Sequence, residues 1–321
     1  MLTEFMHVMS FIGSAAFYLP LLVVVYWCVD PRTGARAAVL LTVNATVNTV
    51  AKLWFHDPRP FWTDPGVTGH EGRDSFGMPS GHAQNAVVAW GFLGSRSRRR
   101  AVWAGTVVII VLIGYSRIHL GVHSFAQVLT GWAVGGLVLA GGLYLEPRVA
   151  PRWARQPLWT QLALSLAIGL LCLVAAWAAL RFALDGWRWP AEWVRRIAAA
   201  GGSAEPVTLA EAAGAAGGLA GILAGLSVAA RRGWCDPGGD LWRRLARVPV
   251  GAAGAGGIYA VGLFPGEHPV QAFCVQAVLG LWAAAGAPEA FVRLGLATRG
   301  ACAPVTARRP AGGDRVSGGP S

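Results

Sequence analysis

Three short polar signatures, each at the end of an apolar run, hold the residues of this chain that can do chemistry. The first is Lys52-Leu-Trp-Phe-His-Asp-Pro-Arg59-Pro60, the second Pro79-Ser80-Gly81-His82, and the third Ser116-Arg117-Ile-His-Leu-Gly-Val-His123. Five of the seven histidines lie in this window, at positions 56, 70, 82, 119 and 123. Cations, a Ser-Gly turn and imidazoles suit the binding and transfer of a phosphoryl group. That reaction needs charge neutralised over the equatorial oxygens and a nucleophile in line with the leaving oxygen. Lys52 offers a point charge, and Arg59 and Arg117 offer forks matched to phosphate oxygens. Any one of these cations alone reads more simply as a side chain snorkelling to lipid headgroups. Three on one side, each beside another polar signature, reverse that balance.

Pro79-Ser80-Gly81-His82 reads as a turn entering a helix. Free backbone N–H groups at such a start bind anions, and Gly81 lets the anion come close. Ser80 adds a hydroxyl donor, although by itself it is equally a plain helix cap. His82, two residues into the helix, is placed to give a proton to a leaving alkoxide. His123 can attack phosphorus as a neutral imidazole and form a phosphoenzyme. A lone interfacial histidine is as often an amphipathic anchor, and His56 and His119 stay nearer to that reading. Ser124 and Gln127 have capping-box spacing. Gln127 also sits one turn beyond His123, where its amide oxygen can accept the Nδ1–H and leave Nε2 free. With three cations present no metal or other cofactor is required. Cys28, Cys172, Cys235, Cys274 and Cys302 show neither a CxxC pair nor a ligand spacing, so no zinc site or disulfide framework is expected.

Composition says what must position these residues. Of 321 residues, 54% are hydrophobic and only 13% charged, with a mean hydropathy of +0.47. A soluble domain carries about 25% charged residues. Several apolar runs approach the ~20 residues that cross a bilayer. The fold class expected is all-α, a polytopic membrane protein of about nine spans. These run near 8–28, 37–55, 80–94, 101–115, 124–145, 158–180, 207–230, 249–264 and 269–296. Asn44 and Asn48, deep in the second, should face other helices. Residues 181–206, with Trp187, Trp189 and Trp193, read as an extramembrane segment holding an interfacial helix. The Ala/Gly-rich seventh span allows close helix packing, within the chain or as a homodimer face.

The formal charge of +11 does not point to nucleic acid, because the arginines sit in short loops between apolar runs. Basic loops follow spans one, three, five and seven, and the tail is basic too, which places those connections in the cytoplasm. All three signatures then meet on the extracytoplasmic side. The four arginines of 181–206 are the one discordance. The first residues lack the basic stretch of a cleavable signal peptide. Residues 1–157 are expected to form the membrane-embedded core, 158–298 further spans, and 299–321 a disordered basic tail.

With the three signatures in order, the chain resembles the type 2 phosphatidic acid phosphatase superfamily, which includes lipid phosphate, sphingosine-phosphate and glucose-6-phosphatases and the vanadium haloperoxidases. Its pattern is Lys-six residues-Arg-Pro, then Pro-Ser-Gly-His, then Ser-Arg-five residues-His-three residues-Asp. The resemblance spans roughly residues 40–145. It implies a phosphatase/haloperoxidase-type helical core, with His123 as nucleophile, His82 as general acid, and Lys52, Arg59, Ser80, Gly81 and Arg117 as the phosphate cradle. Gln127 departs from the family aspartate, as in the glucose-6-phosphatase branch, and implies reduced turnover or a shifted pH optimum. The function expected is a metal-independent phosphatase of the cytoplasmic membrane, acting on a phosphorylated amphiphile, foremost a lipid phosphate, through a phosphohistidine. Prenyl diphosphates and sugar phosphates are rival substrates. A catalytically weak phospholipid-binding or transport protein, which Gln127 would favour, and a vanadate haloperoxidase, which the spans oppose, are rival classes.

Overall fold

The computed structural model describes residues 1–205, 207–262 and 268–300. The tail expected to be disordered lies, from residue 301 on, outside the described residues. The chain is all-helical apart from two two-residue strands, β1 (Cys235–Asp236) and β2 (Thr298–Arg299), paired antiparallel. The helices are α1 (Leu2–Ile12), α2 (Ala15–Val24), α3 (Pro31–Phe55), α4 (Pro60–Thr63), α5 (Gly81–Ser95), α6 (Arg100–His119) and α7 (Phe125–Arg155). They continue with α8 (Leu158–Phe182), α9 (Ala191–Ala199), α10 (Ala210–Arg232), α11 (Leu241–Gly262), α12 (Pro269–Leu281) and α13 (Ala287–Arg293). Short π-helical turns extend α2 and join α12 to α13.

Each expected span falls on helix among the described residues, but the fifth does not stop at 145: α7 runs through Pro147 and Pro151 to Arg155. Six stretches are long and apolar enough to cross a membrane alone: α3 with α4, α6, α7, α8, α10, and α12 through α13. The α1–α2 pair, bent by 47°, makes a seventh if it is one span. At 15 residues α5 is too short to count alone, and α11 opens on Arg243, Arg244 and Arg247. This is a multi-pass membrane protein.

Local chemistry explains the ends that matter. Asp30 caps α3, accepting from the N–H groups of Arg32 at 2.9 Å and Thr33 at 3.3 Å, with Pro31 in the first turn. His56 closes α3 at φ +37°, and this left-handed step turns the chain into Asp57-Pro58-Arg59. At the start of α7 the Ser124–Gln127 capping box is present in both directions.

α3, α5, α6 and α7 form one packed group with α1 against α6, while α8, α10 and α12 form another that meets α3. Between α3 and α5 the apolar interior is crossed by an amide network. Gln84 donates to Asn44 Oδ1 at 2.8 Å, and Asn48 donates to Gln84 Oε1 at 2.8 Å and to the Pro79 carbonyl at 3.2 Å. Asn44 and Asn48 therefore do face protein. On α10, a Cβ at Gly217 or Gly221 would lie 2.1 and 2.0 Å from the carbonyls of Phe273 and Ala277. This close-packing face is covered by α12 of the same chain.

The three signatures gather at one end of the bundle, and residues 181–205 lie over them. Trp62 packs 5.2 Å from Trp189 and 5.5 Å from Trp193, and Phe76 packs 5.2 Å from Trp187. α9 thus braces the 56–80 loop as well as presenting an amphipathic face. The opposite end carries the basic loops, with Arg36 paired to Glu146. Arg247, expected to be an orientation signal, is instead wholly buried. It donates to the carbonyls of Trp27, Pro237, Gly238 and Leu296 and ties α11 to the chain around it.

Candidate active site

Lys52 comes from the last turn of α3, Arg59 from the loop after it, Ser80, Gly81 and His82 from the start of α5, Arg117 from the end of α6, and His123 from the turn before α7. Four helix ends meet, which is why residues 71 positions apart in sequence can share a site. Glycine permits the approach: a Cβ at Gly131 of α7 would lie 2.6 Å from the Ser80 carbonyl.

His123 is buried and held at both ring nitrogens. Arg59 Nη1 lies 3.0 Å from Nε2, and Gln127 Oε1 lies 3.1 Å from Nδ1. Arginine can only donate, so Nε2 presents a lone pair and Nδ1 carries the proton. Burial foremost, with the cations Arg59, Arg117 and Lys52 behind it, holds the His123 imidazole well below the ordinary histidine range. The ring is neutral at pH 7, with its lone pair at Nε2.

Arg59 is 2% exposed and Arg117 1%, a degree of burial that arginines tolerate only when paired. Arg59 donates from Nε to the Ser75 carbonyl at 2.7 Å, from Nη2 to Ser75 Oγ at 3.0 Å, and from Nη1 to the Val122 carbonyl at 2.9 Å. Lys52 Nζ reaches the same Ser75 Oγ at 2.9 Å. Arg117 makes a bidentate pair with Glu71, at 3.0 Å from each terminal nitrogen, and a further bond to Ser10 of α1. Burial alone would raise the Glu71 carboxyl, but the hydrogen bonds and charges of Arg117 and Arg73 prevail and hold it below the usual carboxylate range.

Among the described residues, three polar atoms of this cluster are buried without a hydrogen-bond partner: Ser80 Oγ, His82 Nε2 and Arg117 Nε. Buried polar atoms are satisfied in the great majority of cases, so these three, all on residues of the signatures, are available to a polar ligand. The capping alternative for Ser80 fails here, because its side chain makes no cap hydrogen bond. Among the described residues no group of three His, Cys, Asp or Glu side chains is placed to hold a metal. A cavity of about 970 Å³ between α2, α3, α10 and α12 lies apart from this cluster and touches its amide network at Asn85.

Sequence reasoning missed four contributors. Asp57 stood inside the first signature without a role, yet it accepts a 2.6 Å bond from Gln127. Glu71, Ser75 and Ser10 reach Arg117, Arg59 and Lys52 from a loop and from α1, where no fixed spacing to the signatures betrays them. The charge cluster Glu71-Gly-Arg73-Asp74 was the one readable hint. His119 Nε2 contacts Thr3 at 3.2 Å and His56 the Trp54 carbonyl at 3.1 Å, so the hydrogen bonds of both rings go elsewhere than His123.

The profile of the PAP2 superfamily matches residues 33–150, and that of the PAP2 superfamily phosphatase transmembrane extension matches 213–299. The chain is 32% identical over 152 residues to phosphatidylglycerophosphatase B of Bacillus subtilis (strain 168), covering 43% of this chain and 71% of that protein. The chain belongs to the PAP2 superfamily. Other PAP2 relatives include human sphingosine-1-phosphate phosphatase 2, 30% identical over 40% of this chain and 34% of that protein. Human dolichyldiphosphatase 1 is 28% identical over 37% of this chain and 56% of that protein. The chain thus spans about a third to a half of the two human proteins' lengths. The crystal structure of the first transmembrane PAP2 type phosphatidylglycerolphosphate phosphatase from Bacillus subtilis matches at 27% identity and a TM-score of 0.39. That match covers 46% of this chain and 78% of that one.

Proposed function

We propose that this protein is an integral-membrane phosphatase that hydrolyses a lipid phosphate monoester through a phosphohistidine at His123, on the extracytoplasmic face. The observation that carries the reading is the His123 ring, with Nδ1–H held by Gln127, a lone pair at Nε2, and three cationic side chains around it. A substrate phosphate entering the cluster takes the terminal nitrogens of Arg59 and Arg117 from His123 and Glu71. It also engages Ser80 Oγ and the free N–H groups at the start of α5. His123 Nε2 attacks phosphorus as the bond to the lipid oxygen breaks, and His82 gives that oxygen its proton. The dianion itself favours the protonated form of His82. Water then attacks the phosphohistidine, giving its proton to His82, and orthophosphate leaves.

A lipid substrate suits a site at the ends of spanning helices, where a headgroup reaches the cluster while its chain stays in the bilayer. The similarity to phosphatidylglycerophosphatase B points to phosphatidylglycerophosphate first, and the other relatives to sphingosine 1-phosphate and dolichyl diphosphate. Phosphate release by purified protein from these three, phosphatidate and a sugar phosphate tests the reading. The expected order places lipid monophosphates above prenyl diphosphate and sugar phosphate, with release lost in His123→Ala. Equal release from wild type and His123→Ala contradicts the nucleophile assignment, and preference for the sugar phosphate contradicts the substrate class.

A further inference from the structure

Gln127 stands where the family pattern has aspartate, and an amide has an ambiguity that a carboxylate lacks. Turned one way, it offers oxygen to His123 Nδ1. Turned the other, it offers NH2, which makes Nδ1 an acceptor and puts the ring proton on Nε2, where it blocks attack. The surroundings of Gln127 admit one orientation. Its Nε2 lies 2.6 Å from Asp57 Oδ2 and 2.7 Å from the Pro58 carbonyl, two groups that accept. Its Oε1 lies 3.2 Å from Ser124 N, which can only donate. The amide is also fixed in place: a Cβ at Gly77 would come within 2.4 Å of it, and the Gln127 carbonyl accepts from Ser80 N at 3.0 Å.

We infer that Asp57 is a positioning residue, whose carboxylate acts on His123 through the Gln127 amide and supplies at one remove what an aspartate at 127 supplies directly. It sets the tautomer by claiming the amide NH2, and it polarises the amide oxygen toward Nδ1–H. When Nε2 takes the phosphoryl group the ring becomes cationic, and a negative charge beyond the amide stabilises it. The charged groups around the ring make this matter. Arg59, Arg117, Lys52 and His82 all oppose a positive imidazole, and Glu71 is already engaged by Arg117 and Arg73. Arg73 and Asp74 both bear on Arg59. Asp57 is thus the carboxylate hydrogen-bonded toward Nδ1. Gln127, the feature that favoured a non-hydrolytic relative, becomes the middle of a relay.

The inference rests on His123 as nucleophile, and its test separates the two. Asp57→Asn keeps the shape but removes the charge, and should lower kcat roughly 10- to 100-fold, the usual range for a group acting behind a first ligand. KM should hardly change. The acid limb of kcat/KM should move to lower pH, because the ring protonates less readily without the negative charge. The double variant D57N/Q127D puts the carboxylate against the ring with an amide behind it, and should recover about tenfold of the loss. Q127D alone, with two carboxylates facing, should do no better than D57N. Wild-type kcat and acid limb in D57N, with His123→Ala inactive, overturn the relay alone; turnover by His123→Ala overturns the nucleophile. An NMR titration of the 15N-labelled His123 ring in detergent, assigned with His123→Ala, reads the same charge without turnover. A lower titration midpoint in D57N is expected, and an unchanged midpoint overturns the relay.

Discussion

At the scale of single residues, the resting cluster holds its own counter-charges. Glu71 supplies Arg117 with the bidentate acceptor that a phosphate would supply. Glu71→Gln leaves a buried guanidinium short of charge, which costs about 3–5 kcal/mol where a buried pair is broken. A lower Tm is expected in phosphate-free buffer, with a larger rise on adding orthovanadate than wild type shows; equal rises would count against the competition. The pH dependence has a definite sign. The Glu71 carboxyl is held below its unfolded value of about 4.3, so its contribution is complete above that pH and lost as pH falls through the folded value. His123 has the opposite character, a base held below its unfolded value of about 6.5. Stability therefore declines as pH falls below that value and the unfolded chain takes the proton. The acid limb of kcat/KM should accordingly lie below pH ~6.5. A limb above it would mean that the ring is not the buried neutral base described here.

At the scale of elements, small residues set how closely the helices carrying the cluster approach. Gly131→Val would push α7 off the Ser80 backbone and move His123 relative to α5. Gly221→Val would push α12 off α10, away from the cluster. Overpacking of this kind costs about 1–3 kcal/mol, so both should lower Tm. Gly131→Val alone is expected to depress kcat, measured on folded protein below the melting range; equal loss in both would mean that the second helix group shapes the site. Helix positions were legible because apolar runs and breakers such as Asp30-Pro31 are local signals, but Glu146-Pro147 misled: α7 runs through Pro147 and Pro151 to Arg155. The capping box at Ser124 and Gln127 was legible for the same reason. Glu71, Ser75 and Ser10 were not, because nothing in a loop's sequence says which buried cation it will fold back to meet. The destination of Arg247 was equally hidden. An arginine after an apolar run has the same local signature whether it reaches water or five carbonyl contacts.

At the scale of the whole molecule, the signatures and residues 181–205 share one end, and the basic loops share the other. The positive-inside bias assigns the basic end to the cytoplasm. Reporter fusions at Gly69 and Arg98 should therefore read outside and inside, and a cytoplasmic signal at Gly69 would reverse the placement. Two of the four arginines that count against it are paired within the segment. Arg181 pairs with Asp185 and Arg196 with Glu192, and the aromatic packing on Trp62 and Phe76 fixes that segment over the cluster. In all of this, the part that matters most for function is the bond between His123 and phosphorus. Acid quenching is unsuitable, because phosphohistidine is acid-labile, so the direct measurement is a rapid alkaline quench of protein turning over a 32P-labelled lipid phosphate, followed by peptide mass analysis. Label on His123 in wild type is the expected result. Turnover with no label on His123, or label on another residue, would contradict the account.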